Sequence, residues 1–212
     1  MGYKLVYFDI RGRAEPIRLC FAYAGVEFED KRLTLEEWMT TFKQKATEHA
    51  FGQVPMLNVD GKGIGQTGAI LRYVGKQLDL NGSDDWEAAK IDSYCCGVND
   101  LIQVFVDNGF FQSVRNKDMD GAKKIFDDAK PTVTEFVERY LKFLERNGNN
   151  GFLVGEKASY VDFAFFHMIQ QLCHLGQACD FFDRFPALKD YMKGISNLKG
   201  VKDWLESRPK EQ

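Results

Sequence analysis

Tyr7 closes an apolar run, Leu5-Val6-Tyr7-Phe8, and the chain then breaks at once into Arg11-Gly12-Arg13-Ala14-Glu15-Pro16. Taken alone, Tyr7 reads as a core tyrosine of a strand and Arg13 as a solvated turn arginine. A second place for chemistry is Gly63-Ile-Gly-Gln-Thr-Gly68, a literal G-x-G-x-x-G. Its context is wrong for a dinucleotide site, because it follows a hairpin return strand instead of opening a βαβ unit. Its physics still favours an anion. Gln66-Thr67 opens a helix, where free backbone N–H groups and the helix dipole attract a carboxylate, helped by the Thr67 hydroxyl. Thr67 can equally serve as the N-cap of that helix.

The remaining reactive side chains exclude more than they suggest. Cysteines stand at 20, 95, 96, 173 and 179, an odd number with no CxxC pair. That spacing fits neither a disulfide framework nor a zinc site, so a reducing compartment with mostly buried thiols is expected. His49, His167 and His174 have no ligand spacing and read as structural. A net charge of −3 argues against a general nucleic-acid binder. No apolar run approaches the length of a membrane span, and no signal peptide is evident, so the expected location is cytoplasmic.

These residues need elements to position them. Residues 3–8 read as a strand, 11–12 as a turn, and 13–24 as a helix with Pro16 in its first turn and Gly25 as its stop. Residues 26–33 alternate as a second strand, and 34–51 form a helix or helical turns, polar with sparse apolar anchors. Residues 53–59 are a strand, Asp60-Gly61 a hairpin turn, and 62–65 a return strand. Ile70, Leu71, Val74 and Leu78 then recur at helical spacing over 66–80. The order β-α-β-α-β-β-α makes one α/β unit. After the turn-rich 81–85 everything reads as helix: 86–111, 118–146 with Pro131, 159–172, 185–195 and 198–207. Ser159 and Asp162 form a capping box ahead of the apolar 159–172 segment. The expected domains are 1–80 and 84–212.

In this order the pieces resemble the cytosolic glutathione transferases, and the sigma class with its helminth forms in particular. The resemblance rests on YKLVYFDIRGRAEPIR (3–18), FGQVPMLNVDG (51–61), QTGAILRYVGKQLDLNG (66–82), GFLVGEKASYVDF (151–163) and WLESRP (204–209). It implies a thioredoxin-like α/β N-terminal domain and an all-α C-terminal domain. It also implies glutathione as co-substrate, hydrophobic electrophiles as second substrate, and a homodimer, with no nucleic acid, no membrane and no metal.

The resemblance further implies roles. Glutathione must become a thiolate to attack, and its thiol pKa of about 8.5 must fall by about two units, worth about 2.7 kcal/mol. Tyr7 resembles the residue whose hydroxyl donates to that thiolate, and Arg13 the arginine that supports it; Arg11 is structural. Trp38 resembles the tryptophan whose indole meets the glycyl carboxylate. Gln53 and Val54, before a cis Pro55, resemble the segment whose backbone pairs with the cysteinyl part. Gln66 and Thr67 stand where the family has Gln-Ser for the γ-glutamyl carboxylate. Asp100 resembles the acid that reaches the γ-glutamyl ammonium across a dimer interface. The segment after Trp38 is longer than in the sigma sequences, so the lysine for the glycyl carboxylate is Lys43 or Lys45, with Lys43 favoured. Cys96 and Asn99 stand where the prostaglandin-forming members carry metal-binding aspartates. Phe8, Phe105 and Phe111 are walls for the second substrate, or ordinary core. A glutathione-dependent isomerase, such as a prostaglandin synthase, shares Tyr7 and Arg13; a non-catalytic lens-type protein shares the fold.

Overall fold

The computed structural model describes residues 1–43 and 51–209 of the 212-residue chain. Lys45, His49 and most of the long segment after Trp38 lie outside the described residues. By contacts the chain divides into two units, Met1–Leu80 with Leu198–Gln212, and Asn81–Asn197. The closing helix, Lys199–Ser207, is thus grouped with the α/β unit, not with the helices that precede it in sequence.

The first unit is a four-stranded mixed sheet in the order β2-β1-β3-β4. Strand β1 (Tyr3–Phe8) runs parallel to β2 (Glu29–Leu33) and antiparallel to β3 (Met56–Val59), which turns back into β4 (Lys62–Gly65). The hairpin turn is Asp60-Gly61, both with positive φ (49° and 89°), as a two-residue turn matched to strand twist requires. Between β1 and β2 lies helix α1 (Glu15–Ala24), with proline in its first turn and Gly25 left-handed at its end. Every residue of α1 from Glu15 to Phe21 is buried, including one acid and one arginine. Strand β2 is shorter than the alternation over 26–33 suggests. The polar segment after it starts as a helix, α2 (Leu35–Glu37), and widens into a π-helical turn over Trp38–Phe42. A capping box fixes its start: the Glu37 N–H donates to Thr34 Oγ1, and the Thr34 N–H to Glu37 Oε2 at 2.8 Å. Helix α3 (Thr67–Gln77) follows β4.

The second unit is helical. It comprises α4 (Asp85–Asp107), α5 (Phe110–Arg115), α6 (Met119–Arg146), α7 (Tyr160–Leu175), α8 (Cys179–Phe182) and α9 (Pro186–Ser196). The expected 86–111 helix breaks at Asn108-Gly109, and α6 runs through Pro131. Eleven of the sixteen residues of α7 are buried, so its neighbours cover nearly its whole circumference. The Ser159–Asp162 capping box is present. Asp162 is fully buried, and its oxygens accept from the N–H of Leu153 and Ser159, the Ser159 hydroxyl and the Tyr191 hydroxyl at 2.8–2.9 Å. Burial raises the Asp162 carboxyl pKa, and these four donors pull against it. Burial first, and then the same carboxylate, hold the Tyr191 phenol well above its ordinary value.

One expectation is corrected. Cys173 and Cys179 form a disulfide, with their Cα atoms 4.5 Å apart, while Cys20 and Cys95 are buried thiols and Cys96 is exposed. Counting spacings missed the pair because a turn, not a framework, brings it together. Phe105, offered above as a wall, is fully buried against Phe110 and Phe126, whereas Phe111 and Phe8 are half-buried.

Substituting Asp162→Asn keeps the shape but turns one acceptor into a donor facing two donors. We expect a loss of about 2–4 kcal/mol, read as a drop in Tm of about 5–10 °C. A change below 2 °C would show that these bonds contribute little.

Candidate active site at the end of the sheet

The sheet register collects the candidate residues at one end. Tyr7 lies one residue from the end of β1, paired with Arg32 of β2. Leu33 ends β2 beside Phe8 and leads to Trp38. Val6 pairs with Met56, so Val54-Pro55 enters β3 at the level where β1 ends. Met56 also pairs with Gly65, so β4 delivers Gln66 and Thr67 to the same end. This is the carboxyl end of β1, β2 and β4, the usual place for a ligand on an open α/β sheet.

At its centre the buried Tyr7 side chain turns its hydroxyl toward the loop after β1 and accepts the Arg13 backbone N–H at 3.2 Å. That contact depends on Gly12. Its φ of +41° is left-handed, and a Cβ there would stand 2.8 Å from the Tyr7 hydroxyl oxygen and 3.0 Å from the ring edge. Any other residue would have to displace the ring or the loop. Arg13 thus supports Tyr7 through its main chain, and its side chain is exposed.

The loop is anchored from below by buried charge. Arg18 has no exposed surface, and its guanidinium donates to the carbonyls of Ile10 (2.9 Å) and Arg11 (3.3 Å). It also pairs with Glu15 at 3.2 Å and Asp30 at 3.1 Å. The other Glu15 oxygen accepts from Trp204 Nε1 at 2.9 Å and Arg208 Nη1 at 2.6 Å, both from the C-terminal segment. Asp30 in turn meets Arg32, which reaches Asp9 at 2.9 Å. Burial works against the Arg32 cation, yet its bonds to Asp9 and Asp30 carry its pKa above the ordinary arginine value. The chain of charges runs Asp9, Arg32, Asp30, Arg18, Glu15, Arg208.

Of the remaining candidates, those up to Thr67 lie in the first unit and Asp100 in the second. Trp38 is buried with Val6 and Leu33, and Phe8, Phe42, Val54 and Met56 pack against the cluster, so its ring braces the segment before β3. Its ring meets Phe8 edge-on at 5.9 Å. The Val54–Pro55 bond is cis. Gln66 Nε2 donates to Gln53 Oε1 at 3.3 Å, which joins two of the expected residues. Gln66, with φ +69°, is the cap residue of α3, so Thr67 is the first helical residue and not the N-cap considered above. The first N–H groups of α3 therefore point out beside the Thr67 side chain. Lys43 caps the π-helical turn and is exposed. Asp100 is exposed on α4, together with Cys96 and Asn99. Among the described residues, no group of three or more histidine, cysteine or carboxylate side chains is arranged to hold a metal ion.

Reading the sequence missed Gly12, Glu15, Arg18, Trp204 and Arg208. A signal was present: an acid and an arginine three apart inside a helix whose other residues are apolar must be paired, since neither is buried alone.

Two family descriptions match the chain: the glutathione S-transferase N-terminal domain over residues 3–76 and the C-terminal domain over residues 99–208. A probable glutathione S-transferase of Caenorhabditis elegans is 34% identical over 99% of this chain and 98% of its own. A structure described as a monomeric glutathione S-transferase of the hookworm Necator americanus is 31% identical over all of both chains, with a TM-score of 0.85. A prostaglandin synthase D of Nilaparvata lugens is 31% identical over 99% and 100% of the two chains, with a TM-score of 0.81. A thioredoxin-like sheet followed by an all-helical segment is the fold these proteins share. The chain belongs to the glutathione S-transferase family, whose members take glutathione as co-substrate.

Replacing Gly12→Ala moves the Tyr7 hydroxyl or its loop by a fraction of an ångström. Glutathione-dependent turnover should fall by about 10²-fold, mainly in kcat, with circular dichroism unchanged. Retained kcat would show that the hydroxyl's position is not critical. Replacing Arg208→Ala leaves the buried Glu15 with a missing partner and should cost about 3 kcal/mol. A double-mutant cycle with Glu15→Gln should return a coupling above about 1 kcal/mol; simple additivity would refute the pairing.

Proposed function

We propose that this chain is a sigma-class glutathione transferase that ionises glutathione at Tyr7 and delivers the thiolate to hydrophobic electrophiles. The observation that carries the reading is the Tyr7 hydroxyl, fixed at the end of the sheet by the Arg13 N–H. An O–H that already accepts one hydrogen bond is a stronger donor in the second. Donation to the sulfur favours the charged form and lowers the thiol pKa. The thiolate, its proton already lost to solvent, then forms the S–C bond with the electrophile, while a leaving group departs with its electron pair or, in an addition, the π pair moves onto the acceptor atom and is protonated by water.

The tripeptide has two carboxylates and an ammonium, and each has a counterpart. The N-terminus of α3, with Gln66 and Thr67, takes the γ-glutamyl carboxylate. Gln53 and Val54, next to cis Pro55, offer main-chain groups to the cysteinyl unit. Trp38 and Lys43 serve the glycyl carboxylate. Arg13 contributes positive charge near the sulfur. Asp100 of a second copy serves the ammonium, which makes the working form a homodimer. In this reading the conjugation serves detoxification in the cytoplasm.

The test is a pH titration of thiolate absorbance for glutathione bound to the wild type and to Tyr7→Phe. We expect a bound thiol pKa about two units below the free value of about 8.5, and its return toward the free value in the variant. Glutathione that binds with an unshifted thiol would sink the catalytic reading and leave a binding protein. Sedimentation at micromolar concentration should give a dimer; a monomer would remove the role given to Asp100.

A further inference from the structure

The Cys173–Cys179 disulfide lies outside the candidate site and takes no part in the chemistry above. Cys179 is exposed and Cys173 half-exposed. The two are brought together by the end of α7. The Ala178 N–H bonds the Cys173 carbonyl at 2.9 Å, the Gln177 N–H faces the His174 carbonyl at 3.4 Å, and Gln177 is left-handed with φ +49°. This is a Schellman ending, in which residues flanking the turn meet without any covalent help. Gly176 presses so closely on Phe126 that a Cβ there would lie 3.1 Å from the ring. The turn is therefore fixed by hydrogen bonds and packing, and the two sulfurs stay neighbours whether or not they are bonded. Directly after Cys179, the buried Phe181 and Phe182 pack on Phe126 with ring centroids 5.4 and 6.0 Å away.

We propose that Cys173–Cys179 is a reversible thiol–disulfide exchange site that takes glutathione at Cys179. An exposed disulfide is the labile kind, and a seven-residue loop restricts the unfolded chain less than a long one. The exchange needs only a small thiol; that glutathione is that thiol rests on the family reading. Its sulfur, as the thiolate, attacks Cys179 Sγ along the S–S axis. The bond to Cys173 breaks, and Cys173 leaves as a thiolate that takes a proton from water. Cys179 then carries a glutathionyl mixed disulfide. A second glutathione thiolate attacks the glutathionyl sulfur, releases Cys179 and departs as glutathione disulfide. Two glutathione thiols are oxidised, and one protein disulfide is reduced to two thiols. In the reverse direction Cys173 attacks Cys179 and expels glutathione. Opening the pair removes the covalent tie at the start of α8, whose two phenylalanines pack on Phe126 of α6.

The experiment is peptide mapping of the full chain after equilibration with graded ratios of reduced and oxidised glutathione, acid quench and alkylation. A parallel series uses β-mercaptoethanol. We expect the bridge to open and close reversibly with both thiols, with the glutathionyl adduct at least about tenfold more abundant on Cys179 than on Cys173. Cys173→Ser should trap the adduct on Cys179, and opening should lower Tm by about 5 °C. A bridge that survives excess reduced glutathione while the Cys96 thiol alkylates would overturn the proposal, as would an adduct mainly on Cys173. Opening by both thiols together with an unshifted glutathione thiol in the Tyr7 titration would support exchange and discard the transferase reading.

Discussion

The Glu15 carboxylate sits out of water between the guanidinium groups of Arg18 and Arg208. Removing three charges from solvent costs several kcal/mol each, and only good geometry with every oxygen bonded offsets that cost. The arrangement therefore tolerates little displacement. Arg18 passes that rigidity upward, because the same guanidinium holds the carbonyls of Ile10 and Arg11. Those two residues lead into Gly12 and the Arg13 N–H, and so into the Tyr7 hydroxyl. An apolar pair in place of Glu15 and Arg18 would fill the space and leave the loop carbonyls without donors. The buried charge is better understood as a positioning device than as a source of stability.

Around that anchor, topology does the gathering. A parallel β1–β2 pair and an antiparallel β1–β3–β4 hairpin together send three strand ends and one strand start to a single edge. Tyr7, Trp38, Val54-Pro55 and Gln66-Thr67 are far apart in sequence and adjacent there because register leaves them no other place. Trp38 shows how positioning and packing merge: its ring is core to Val6 and Leu33, and it also supports the segment that leads to Pro55.

Much of this was legible in the residues. Alternation, proline and glycine punctuation, and the Asp60-Gly61 turn announced the α/β unit, and the 3.6-residue spacing announced the helices after residue 85. The Ser159–Asp162 cap was readable because its geometry is local. What stayed hidden was non-local or fine. Glu15 and Arg208 are 193 residues apart, and nothing in either neighbourhood names the other. The clash that excludes a side chain at Gly12 exists only when Tyr7 folds beside it. Helices α5 and α8 are too short to show a period. Cys173 and Cys179 looked like stray thiols because their meeting depends on a left-handed Gln177, a conformation that glutamine seldom announces.

The grouping of Leu198–Gln212 with Met1–Leu80 makes the α/β unit discontinuous along the chain. During synthesis, Glu15 and Arg18 leave the ribosome early, while Trp204 and Arg208 follow only after the whole helical unit. At elongation rates of about 5–20 residues per second, that interval is about ten to forty seconds. Through it, Glu15 Oε1 lacks the two protein donors that cover it in the folded chain, Trp204 Nε1 and Arg208 Nη1, and water must take their place.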